Sequence, residues 1–510
     1  MTQADRTASP FRTSGPQLIA YADRFGGSLK DLAQLMRTRL AGVFTGLHIL
    51  PFYIPFDGAD AGFDPVDHTQ VDPRLGSWDD VRSLSAGTTI VADLIANHMS
   101  VASPQFDSVQ ALGEGSPWFP MFLTMRSIFP DGAKEEDLAR IYRPRPALPF
   151  TLMRLGGAPR LVWTTFTPSQ VDLDIREPLT WSYLTSVVDR LTAAGVSIIR
   201  LDAIGYAGKV AGTNCFMTSE TLGFIRRLGE YCHHRGARTL LEVHGHVTQQ
   251  IESAQHADFV YDFALPPLVL HAIFTGDAEP LDHWLSERPH NVVTVLDTHD
   301  GIGIIDVAAN ELEPSKPGLL DDAQIANLVE TVHSKAGGTS RRATGTAAAN
   351  LDLYQVNCTF FDALGRDERR YLLARAIQLF VPGIPQVYYV GLLAGSNDMT
   401  LFERTGVGRD VNRHCYSVDE VERQLLLPVV RAQIELIRLR AMHPAFEGVF
   451  GHDAHEGRIV LRWHHGEEEV LLDADFLRGD FTIRTLGWED VVLTCSDLLG
   501  KDDERLAPGA

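Results

Sequence analysis

Short apolar runs recur along most of the chain, and each run ends in polar or small residues. Eight such runs are present, beginning near residues 17, 42, 88, 195, 239, 259, 291 and 384. Continuous Val, Ile and Leu segments of this length are typical of strands buried on both faces. The stretches between them, such as SWDDVRSLSAG (77–87) and LTWSYLTSVVDRLTAAG (179–195), have the periodicity of amphipathic helices. The pattern predicts an α/β protein with a (β/α)8 TIM barrel, with a doubly wound sheet as the alternative.

Two insertions interrupt this alternation, and a different pattern follows it. One insertion, rich in Pro and aromatic residues, follows the third run, and another follows the seventh. Barrel active sites are built from the loops after the strands, so both insertions are expected to form subdomains there. Short alternating segments such as RIVLRW and DFTIRTL predict an antiparallel β domain at the end. The predicted parts are a catalytic barrel (1–95, 177–301 and 366–445), an inserted subdomain after strand 3 (96–176), another after strand 7 (302–365), and a C-terminal β domain (446–510).

The composition narrows the class of protein. Hydrophobic residues make up 45% of the 510 residues and charged residues 22%, which is typical of a globular chain with a large core. The 66 acidic residues outnumber the 45 basic ones, and the resulting net charge of −21 opposes binding to nucleic acid or to an anionic membrane. A neutral substrate suits such a surface better, and an anionic substrate would need locally placed arginines.

Cysteine usage and apolar run length indicate the compartment. The five cysteines are widely spaced and include no CxxC pair, which argues against a disulfide framework and a structural zinc site. The first residues lack the apolar core of a signal peptide, and no run approaches the ~20 apolar residues of a membrane span. We therefore expect a soluble cytoplasmic protein.

Polar side chains stand at the C-terminal ends of several apolar runs. In a barrel these ends open onto one mouth. Carboxylates on buried strands are costly without partners, so a set of this size indicates a polar network in a cleft rather than separate capping residues. The residues are Asn97, His98, Arg200, Asp202, Glu242, His244, His299 and Asp300.

Four segments resemble the sequence blocks of the α-amylase clan of glycoside hydrolases. They are IANHMS, RLDAIGY, LLEVHGH and VLDTHDGIG, in the order found in the clan. The resemblance implies that Asp202 is the nucleophile, Glu242 the general acid/base, and Asp300 the carboxylate that stabilises the transition state. It also implies that three further residues support these carboxylates and hold the sugar, namely Arg200, His98 and His299.

The chemistry of the clan explains why these residue types are needed. Cleavage passes through an oxocarbenium-like state, so an ionised carboxylate attacks while a protonated carboxyl delivers its proton to the leaving oxygen. Asp202 must then be ionised and Glu242 protonated. Arg200, two residues before Asp202 on the same strand face, is expected to favour the ionised aspartate. In a retaining enzyme the two carboxyl groups lie about 5 to 5.5 Å apart.

Longer stretches are similar to one branch of the clan, the bacterial sucrose phosphorylases. HILPFYIPFDGADAGFDPVDH, IYRPRPALPF, NLDLYQVN and GRDVNRH carry this likeness, which runs from about residue 17 to 415. It implies transfer of glucose from sucrose to the nucleophile and then to inorganic phosphate, giving α-glucose 1-phosphate and fructose. It also implies no cofactor and a homodimer. Asn97 matches a calcium ligand of many clan members, but this branch generally lacks that ion, so no metal is predicted.

The same resemblance implies the residues of the sugar and acceptor sites. Asp60 and Arg409 match a pair that grips the distal hydroxyls of the glucosyl unit and closes the pocket at one sugar. The aromatic wall of that pocket matches Phe63, Phe166 and Tyr206. On the acceptor side, contacts with phosphate or fructose are implied for Arg145, His244, Asp352, Tyr354 and Gln355. The loop that carries Asp352 and Tyr354 is implied to alternate between a fructose-binding and a phosphate-binding arrangement.

Two other functions stay open at this point. A related phosphorylase would act on sucrose 6'-phosphate, glucosylglycerol or glucosylglycerate, although NLDLYQV and the Arg145 loop favour plain sucrose. A non-catalytic barrel serving as a binding or transporter-accessory subunit would lack the nucleophile and carry a membrane anchor, which is the reverse of this sequence. Gly245 and His246 stand where bulkier or hydroxylated residues are expected, and this departure could alter the choice of acceptor.

Overall fold

Eight parallel strands form a closed barrel in sequential order. The computed structural model describes residues 15–58, 60–143, 147–310, 315–345, 355–487 and 490–500. The predicted TIM barrel is confirmed, and the doubly wound alternative is wrong because β8 pairs with β1 and closes the sheet. The strands are β1 (Gln17–Ala20), β2 (Gly46–Ile49), β3 (Thr89–Ile95), β4 (Val196–Asp202), β5 (Arg238–Leu241), β6 (Phe259–Asp262), β7 (Val292–Thr294) and β8 (Ile384–Tyr388).

Helices cover the outside of the barrel. Ser28 caps the first of them by accepting a hydrogen bond from the Asp31 backbone N–H at 3.1 Å, as N-cap serines commonly do. The two predicted helical stretches are observed at α2 and α3. The helices that follow the eight strands are α1 (Leu29–Arg37), α2 (Trp78–Ser85), α3 (Pro178–Ala193), α4 (Ser219–His234), α5 (Val247–Ser253), α6 (Leu265–Thr275), α7 (Glu368–Phe380) and α8 (Pro428–Met442).

The first insertion returns to the barrel mouth through a short sheet. Strands His98–Ser100 and Gln170–Asp172 pair antiparallel, with Asp172 opposite His98. This pairing holds both ends of the insertion at the end of β3. The described elements between them are the α-helices Pro104–Leu112, Met125–Ile128 and Glu135–Arg140, the 3₁₀ helices Gly113–Gly115 and Phe119–Met121, and the hairpin of Phe150–Leu155 with Ala158–Trp163.

The second insertion is fixed in the same way at the end of β7. Ile302–Gly303 pairs antiparallel with Gln355–Val356, and Gly303 lies opposite Gln355. Gly301 has φ +109°, and a Cβ there would lie 2.7 Å from the carbonyl oxygen of Val356, so this close approach requires glycine. The described helices of the insertion are Asp322–Lys335, Thr339–Thr344 and Phe360–Ala363.

The C-terminal region is the antiparallel β structure that the alternating pattern predicts. Trp463 docks it on the barrel by donating from Nε1 to the carbonyl oxygen of Phe380 in α7 at 2.6 Å. A short helix, Cys495–Leu499, follows the sheet. The five strands, in sheet order, are β9 (Val449–His455), β10 (Arg458–His465), β11 (Glu468–Asp475), β12 (Asp480–Leu486) and β13 (Val491–Thr494).

Between β8 and α8 the chain crosses the barrel mouth in short helical segments. These are Tyr389–Leu392, Met399–Thr405, the 3₁₀ turn Gly408–Asn412, and Val418–Gln424. The helix Glu279–Glu287 lies between α6 and β7. Within the described ranges, none of the helices combines the length and the apolar character that crossing a membrane requires.

Candidate active site

The ends of the barrel strands place the predicted carboxylates around one buried arginine. Arg200 of β4 is 2% exposed. Its Nη1 lies 2.9 Å from Asp202 Oδ1, and its Nη2 lies 2.7 Å from Glu242 Oε1. The same guanidinium contacts Asp93 of β3. One cation is therefore shared by three carboxylates.

The protonation of Asp202 follows from this sharing. Burial raises the pKa of Asp202 well above its ordinary value, and the Glu242 carboxyl raises it further, while Arg200 lowers it. Arg200 therefore acts in the predicted direction but is outweighed. An attack by Asp202 on a sugar requires an ionised carboxylate, so the proton that acid catalysis needs must then reside on Glu242.

Glu242 is positioned by two donors. Besides Arg200, the backbone N–H of Ala203 donates to Glu242 Oε2 at 3.2 Å. Ala203 has φ +51°, a left-handed conformation that costs a non-glycine residue about 1–2 kcal/mol. This turn directly follows Asp202, so it brings the nucleophile and the acid/base to the same point.

Asp300 lies in a different electrostatic setting. Its Oδ1 is 2.8 Å from Arg409 Nη1, which is also 3.6 Å from Asp60 Oδ1. Burial opposes ionisation of Asp300, but the Arg409 guanidinium, with Arg413, holds the pKa of Asp300 well below its ordinary value. Asp300 is therefore the ionised carboxylate of the site. Asp60 and Arg409 meet as the resemblance implies.

An aromatic wall lines the same mouth. The ring of Phe63 stacks on His299 with centroids 4.6 Å apart, and His98 Nε2 lies 2.9 Å from the Phe63 carbonyl oxygen. Phe166 meets His98 edge-on at 5.5 Å and Tyr206 at 5.1 Å. Burial lowers the pKa of His299 to about 3, so this ring is neutral. All the predicted sugar-site residues are therefore brought together.

The acceptor side is described in part. His244 Nε2 lies 3.9 Å from Glu242 Oε1 and 3.5 Å from Gln355 Nε2. Arg409 Nη2 donates to Gln355 Oε1 at 3.3 Å, which joins the acceptor side to the sugar site. The remaining predicted acceptor residues, Arg145, Asp352 and Tyr354, lie outside the described residues.

Several residues of the site were missed from the sequence. Gln170 Nε2 donates to Asp60 Oδ2 at 2.7 Å, and Asp306 Oδ2 lies 3.0 Å from His244 Nδ1. Both come from the insertions, at positions that no strand-end pattern marks. Asp306 ends the segment GIGIID, which lacks the GxGxxG spacing of a phosphate-binding loop.

A buried lysine binds the residue that matches a calcium ligand. Lys209 Nζ lies 2.9 Å from Asn97 Oδ1 and 2.7 Å from Asp172 Oδ2, and it donates to the Tyr206 carbonyl oxygen. Its side chain is 1% exposed. The ammonium is therefore the cation that these three oxygens bind. A lysine within the apolar segment IGYAGKVAG is the sequence signal for this contact.

Three potential metal ligands also lie close together in the mouth. The ligand atoms of Glu242, His244 and Asp300 are within 4.8 Å of one another. Arg200 lies 2.7 Å from Glu242 Oε1, and Arg409 lies 2.8 Å from Asp300 Oδ1. A divalent cation would meet two guanidinium groups there, so the charge distribution favours proton transfer over metal binding.

The structure explains why Gly245 and His246 stand where bulkier or hydroxylated residues are expected. A Cβ at Gly245 would lie 2.1 Å from Gln249 Oε1, so the Gln249 side chain fills the space that a larger residue would take. His246 accepts a hydrogen bond from the Thr248 N–H at 3.3 Å, and its Nε2 lies 3.0 Å from the Pro317 carbonyl oxygen. His246 therefore starts α5 and does not reach the catalytic carboxylates.

Known proteins resemble this chain over nearly its whole length. No family profile matches it. The sucrose phosphorylase of Bifidobacterium adolescentis is 53% identical over 481 residues, covering 93% of this chain and 95% of the relative. The sucrose phosphorylase of Agrobacterium vitis is 53% identical over 477 residues, covering 93% and 97%. The crystal structure of sucrose 6F-phosphate phosphorylase from Thermoanaerobacter thermosaccharolyticum superimposes with a TM-score of 0.86 at 33% identity, covering 96% of this chain and 99% of that one.

Proposed function

The chain belongs to the sucrose phosphorylase family, and on that premise we propose that it transfers the glucosyl unit of sucrose to inorganic phosphate, forming α-D-glucose 1-phosphate and fructose. The observation that carries this proposal is the cluster of Asp202 and Glu242 on one guanidinium beside the ionised Asp300. A non-catalytic barrel is disfavoured because it has no need of a strained turn that brings two carboxyl groups together.

In the first half of the reaction, Asp202 attacks the anomeric carbon of the glucosyl unit. The C1–oxygen bond to fructose breaks as the ester to Asp202 forms, and Glu242 gives its proton to the departing oxygen. Asp300 is ionised and stabilises the positive charge that develops on the ring. Arg200 contacts both Asp202 and Glu242 and so holds the two carboxyl groups together.

The second half transfers the same glucosyl unit to phosphate. An oxygen of hydrogen phosphate attacks C1, the ester to Asp202 breaks, and Glu242 takes back one proton from the phosphate. Two displacements at one carbon restore its configuration, so the mechanism is retaining. His244 and Gln355 support the acceptor, together with Arg145, Asp352 and Tyr354, whose roles rest on the sequence resemblance alone.

The sugar pocket holds one glucosyl unit. Asp60 and Arg409 hydrogen-bond its distal hydroxyls, and Phe63 and Tyr206 pack against its apolar faces. His98, Phe166 and His299 complete the wall. Arg409 bridges Asp60 and Asp300, so it couples occupation of the far end of the pocket to the carboxylate that stabilises the transition state.

A product analysis tests this proposal. We expect the purified protein to release fructose from sucrose and to form glucose 1-phosphate only when phosphate is present. Without phosphate, slow release of free glucose is expected, because water then takes the glucosyl unit. Faster turnover of sucrose 6'-phosphate, glucosylglycerol or glucosylglycerate under the same conditions would replace the proposed substrate by that one.

The proposal extends to the state and setting of the protein. It functions without metal or cofactor in the cytoplasm, a reducing compartment that suits its cysteines, all of which are free thiols. We also propose a homodimer. Exposed leucines on the first insertion, Leu148, Leu152 and Leu161, offer it an apolar surface, and light scattering on the eluting protein tests its mass.

The domain boundaries given by the sequence are retained in the proposal. The short antiparallel pairings at His98 and at Gly303 hold the two insertions where 96–176 and 302–365 begin. The five-stranded sheet occupies most of 446–510. Limited proteolysis that cuts first near these boundaries would support the division.

A further inference from the structure

The buried carboxylate of Asp306, in the second insertion, hydrogen-bonds the loop that carries His244. Asp306 is 0% exposed and lies in the 3₁₀ turn Ile305–Val307 after β7. Its Oδ2 is 3.0 Å from His244 Nδ1. Its Oδ1 accepts hydrogen bonds from the Gly245 N–H at 3.1 Å and from Gln250 Nε2 at 3.2 Å. Three donors, two from the loop after β5 and one from α5, therefore converge on a single carboxylate.

His244 is fixed on its other sides as well. Its ring stacks on Phe263 with centroids 3.9 Å apart and an interplanar angle of 16°. With Nδ1 engaged by Asp306, Nε2 is the nitrogen that faces the catalytic groups, 3.9 Å from Glu242 Oε1. The ring therefore cannot turn without losing both the stacking contact and the bond to Asp306.

Carboxylates surround His244 and favour its cationic form. The charged groups that face it are Asp306 from the second insertion, Glu242 from its own loop and Asp300 from the end of β7. Burial alone would lower the pKa of His244, but these carboxylates outweigh burial and raise it above the ordinary value. Asp306 is the largest of the three contributions.

A cation on the acceptor side matters because the second substrate is an anion in a protein of net charge −21. Arg200 is shared by three carboxylates, and Arg409 is bound to Asp300. His244 lies between the acid/base and Gln355, with its Nε2 3.9 Å from Glu242 Oε1 and 3.5 Å from Gln355 Nε2, so a proton on its ring would place positive charge on the acceptor side.

We propose that Asp306 is a positioning residue that keeps His244 charged with its Nε2–H toward the acceptor, so that phosphate competes with water for the glucosyl ester on Asp202. This inference rests on the proposed function. It assigns Asp306 to the phosphate step, in which a charged acceptor must be held, and not to the cleavage of neutral sucrose.

Replacement of Asp306 by asparagine tests the assignment. The amide oxygen can still accept from Gly245, but the amide NH₂ donates to His244 Nδ1, which leaves a neutral ring that keeps its Nε2–H. We expect the half-saturating phosphate concentration to rise about tenfold or more. The KM for sucrose should change much less, and the share of free glucose among the products should increase.

The pH dependence gives a readout that a purely structural role would not change. A raised pKa means that the His244 cation is present below that pKa and is lost as pH rises through it. Relative to Asp306→Asn, the wild-type advantage in phosphate affinity should therefore be largest at low pH and shrink as pH increases. Taking the ratio of the two proteins at each pH removes the ionisation of phosphate itself.

Two further variants complete the test. In a His244→Asn background, Asp306→Asn should have no additional effect on phosphate saturation, because the two residues act as one unit. The matched control is Asp282→Asn, which removes a carboxylate that lies 2.7 Å from His452 Nδ1. This variant should leave the half-saturating concentrations of sucrose and of phosphate unchanged.

The outcomes separate this inference from the proposed function. A wild-type protein that forms no glucose 1-phosphate would refute the function itself. A wild-type phosphorylase whose Asp306→Asn variant has unchanged phosphate saturation, or loses sucrose cleavage to the same extent, would overturn the role of Asp306 alone. If Asp306→Asn does not fold, the NMR signal of the His244 ring in the wild-type protein provides the test. This signal is assigned by its loss in His244→Asn. A mostly neutral ring at pH 6.5 would contradict the proposal.

Discussion

Arg200 contacts Asp93, Asp202 and Glu242 at once, and this sharing sets the chemistry of the site. A guanidinium on one carboxylate would hold that carboxylate ionised. Arg200 is divided among three carboxylates, and burial together with the Glu242 carboxyl raises the pKa of Asp202 well above its ordinary value. Asp300, with Arg409 beside it, stays ionised. Two carboxyl groups of the same barrel mouth thus have pKa values shifted in opposite directions, Asp202 upward and Asp300 downward.

Asp202→Asn tests the role of the nucleophile. The amide cannot form the glucosyl ester, so turnover should fall below roughly 1% of wild type, while folding is retained because the side chain keeps its shape. Initial rates of fructose release measure the effect. The matched control is Asp189→Asn, at the surface beside Arg235, which should keep full activity. Substantial turnover by Asp202→Asn would assign the nucleophile elsewhere.

Lys209→Met tests the buried ammonium at the sugar pocket. The change leaves the Asp172 carboxylate and the Asn97 amide buried without their cation, which should lower the free energy of unfolding by about 3 kcal/mol. Denaturant unfolding measures this difference. Lys30→Met, on the exposed face of α1, is the control and should change stability by less than about 0.5 kcal/mol. An equally small effect at Lys209 would mean that the ammonium does not stabilise the fold.

The sequence predicted the site residues that lie at strand ends but not those that lie in the insertions. Asp202, Glu242 and Asp300 follow buried apolar runs, so their common location could be predicted from barrel geometry. Gln170 and Asp306 reach the site only because distant segments pair with the strand ends. No local pattern encodes such a pairing.

The secondary-structure elements were also predictable only in part from the sequence. All eight apolar runs form barrel strands, since continuous buried segments leave few alternatives. Their ends were less predictable: the run NVVTVLDTHD contributes a strand only over Val292–Thr294. Beyond it the backbone turns into the mouth, where the Asp300 N–H donates to Thr298 Oγ1 at 3.2 Å instead of to a neighbouring strand. Functional side chains thus lie where the hydrogen bonds between neighbouring strands end.

The turn Gly408–Asn412 is the element that brings Arg409 to the pocket. Asn412 joins it to the end of β7 by donating from Nδ2 to the Thr298 carbonyl oxygen at 2.6 Å, and Tyr388 OH donates to the Asn412 carbonyl oxygen at 2.9 Å. These bonds attach the turn to the loop after β7 and to the end of β8. The position of Arg409 therefore depends on a hydrogen bond made three residues away.

Asn412→Ala should loosen this attachment. Loss of about 1 kcal/mol of hydrogen bonding corresponds to a rise of about fivefold in the KM for sucrose. The chemical step should change less, because Arg200 and Glu242 are untouched. Steady-state kinetics measure both quantities. Asn327→Ala, on an exposed face of the helix Asp322–Lys335, is the control, and an equal KM for the two variants would show that the turn is held by other contacts.

The whole molecule combines a barrel that holds the carboxylates with insertions that complete the two substrate sites. Phe166 and Gln170 come from the first insertion, and Gln355 and Asp306 come from the second. The barrel alone supplies a glycoside-cleaving centre. In our proposal the insertions, with the loop carrying His244, favour phosphate over water in a protein that is acidic overall.

The anomeric configuration of the first product tests the central claim most directly. Two displacements through Asp202 predict that proton NMR of the earliest product from sucrose and phosphate shows α-D-glucose 1-phosphate. Early sampling matters because only the first-formed product reports the path. The β anomer would mean a single displacement and would contradict the covalent role of Asp202.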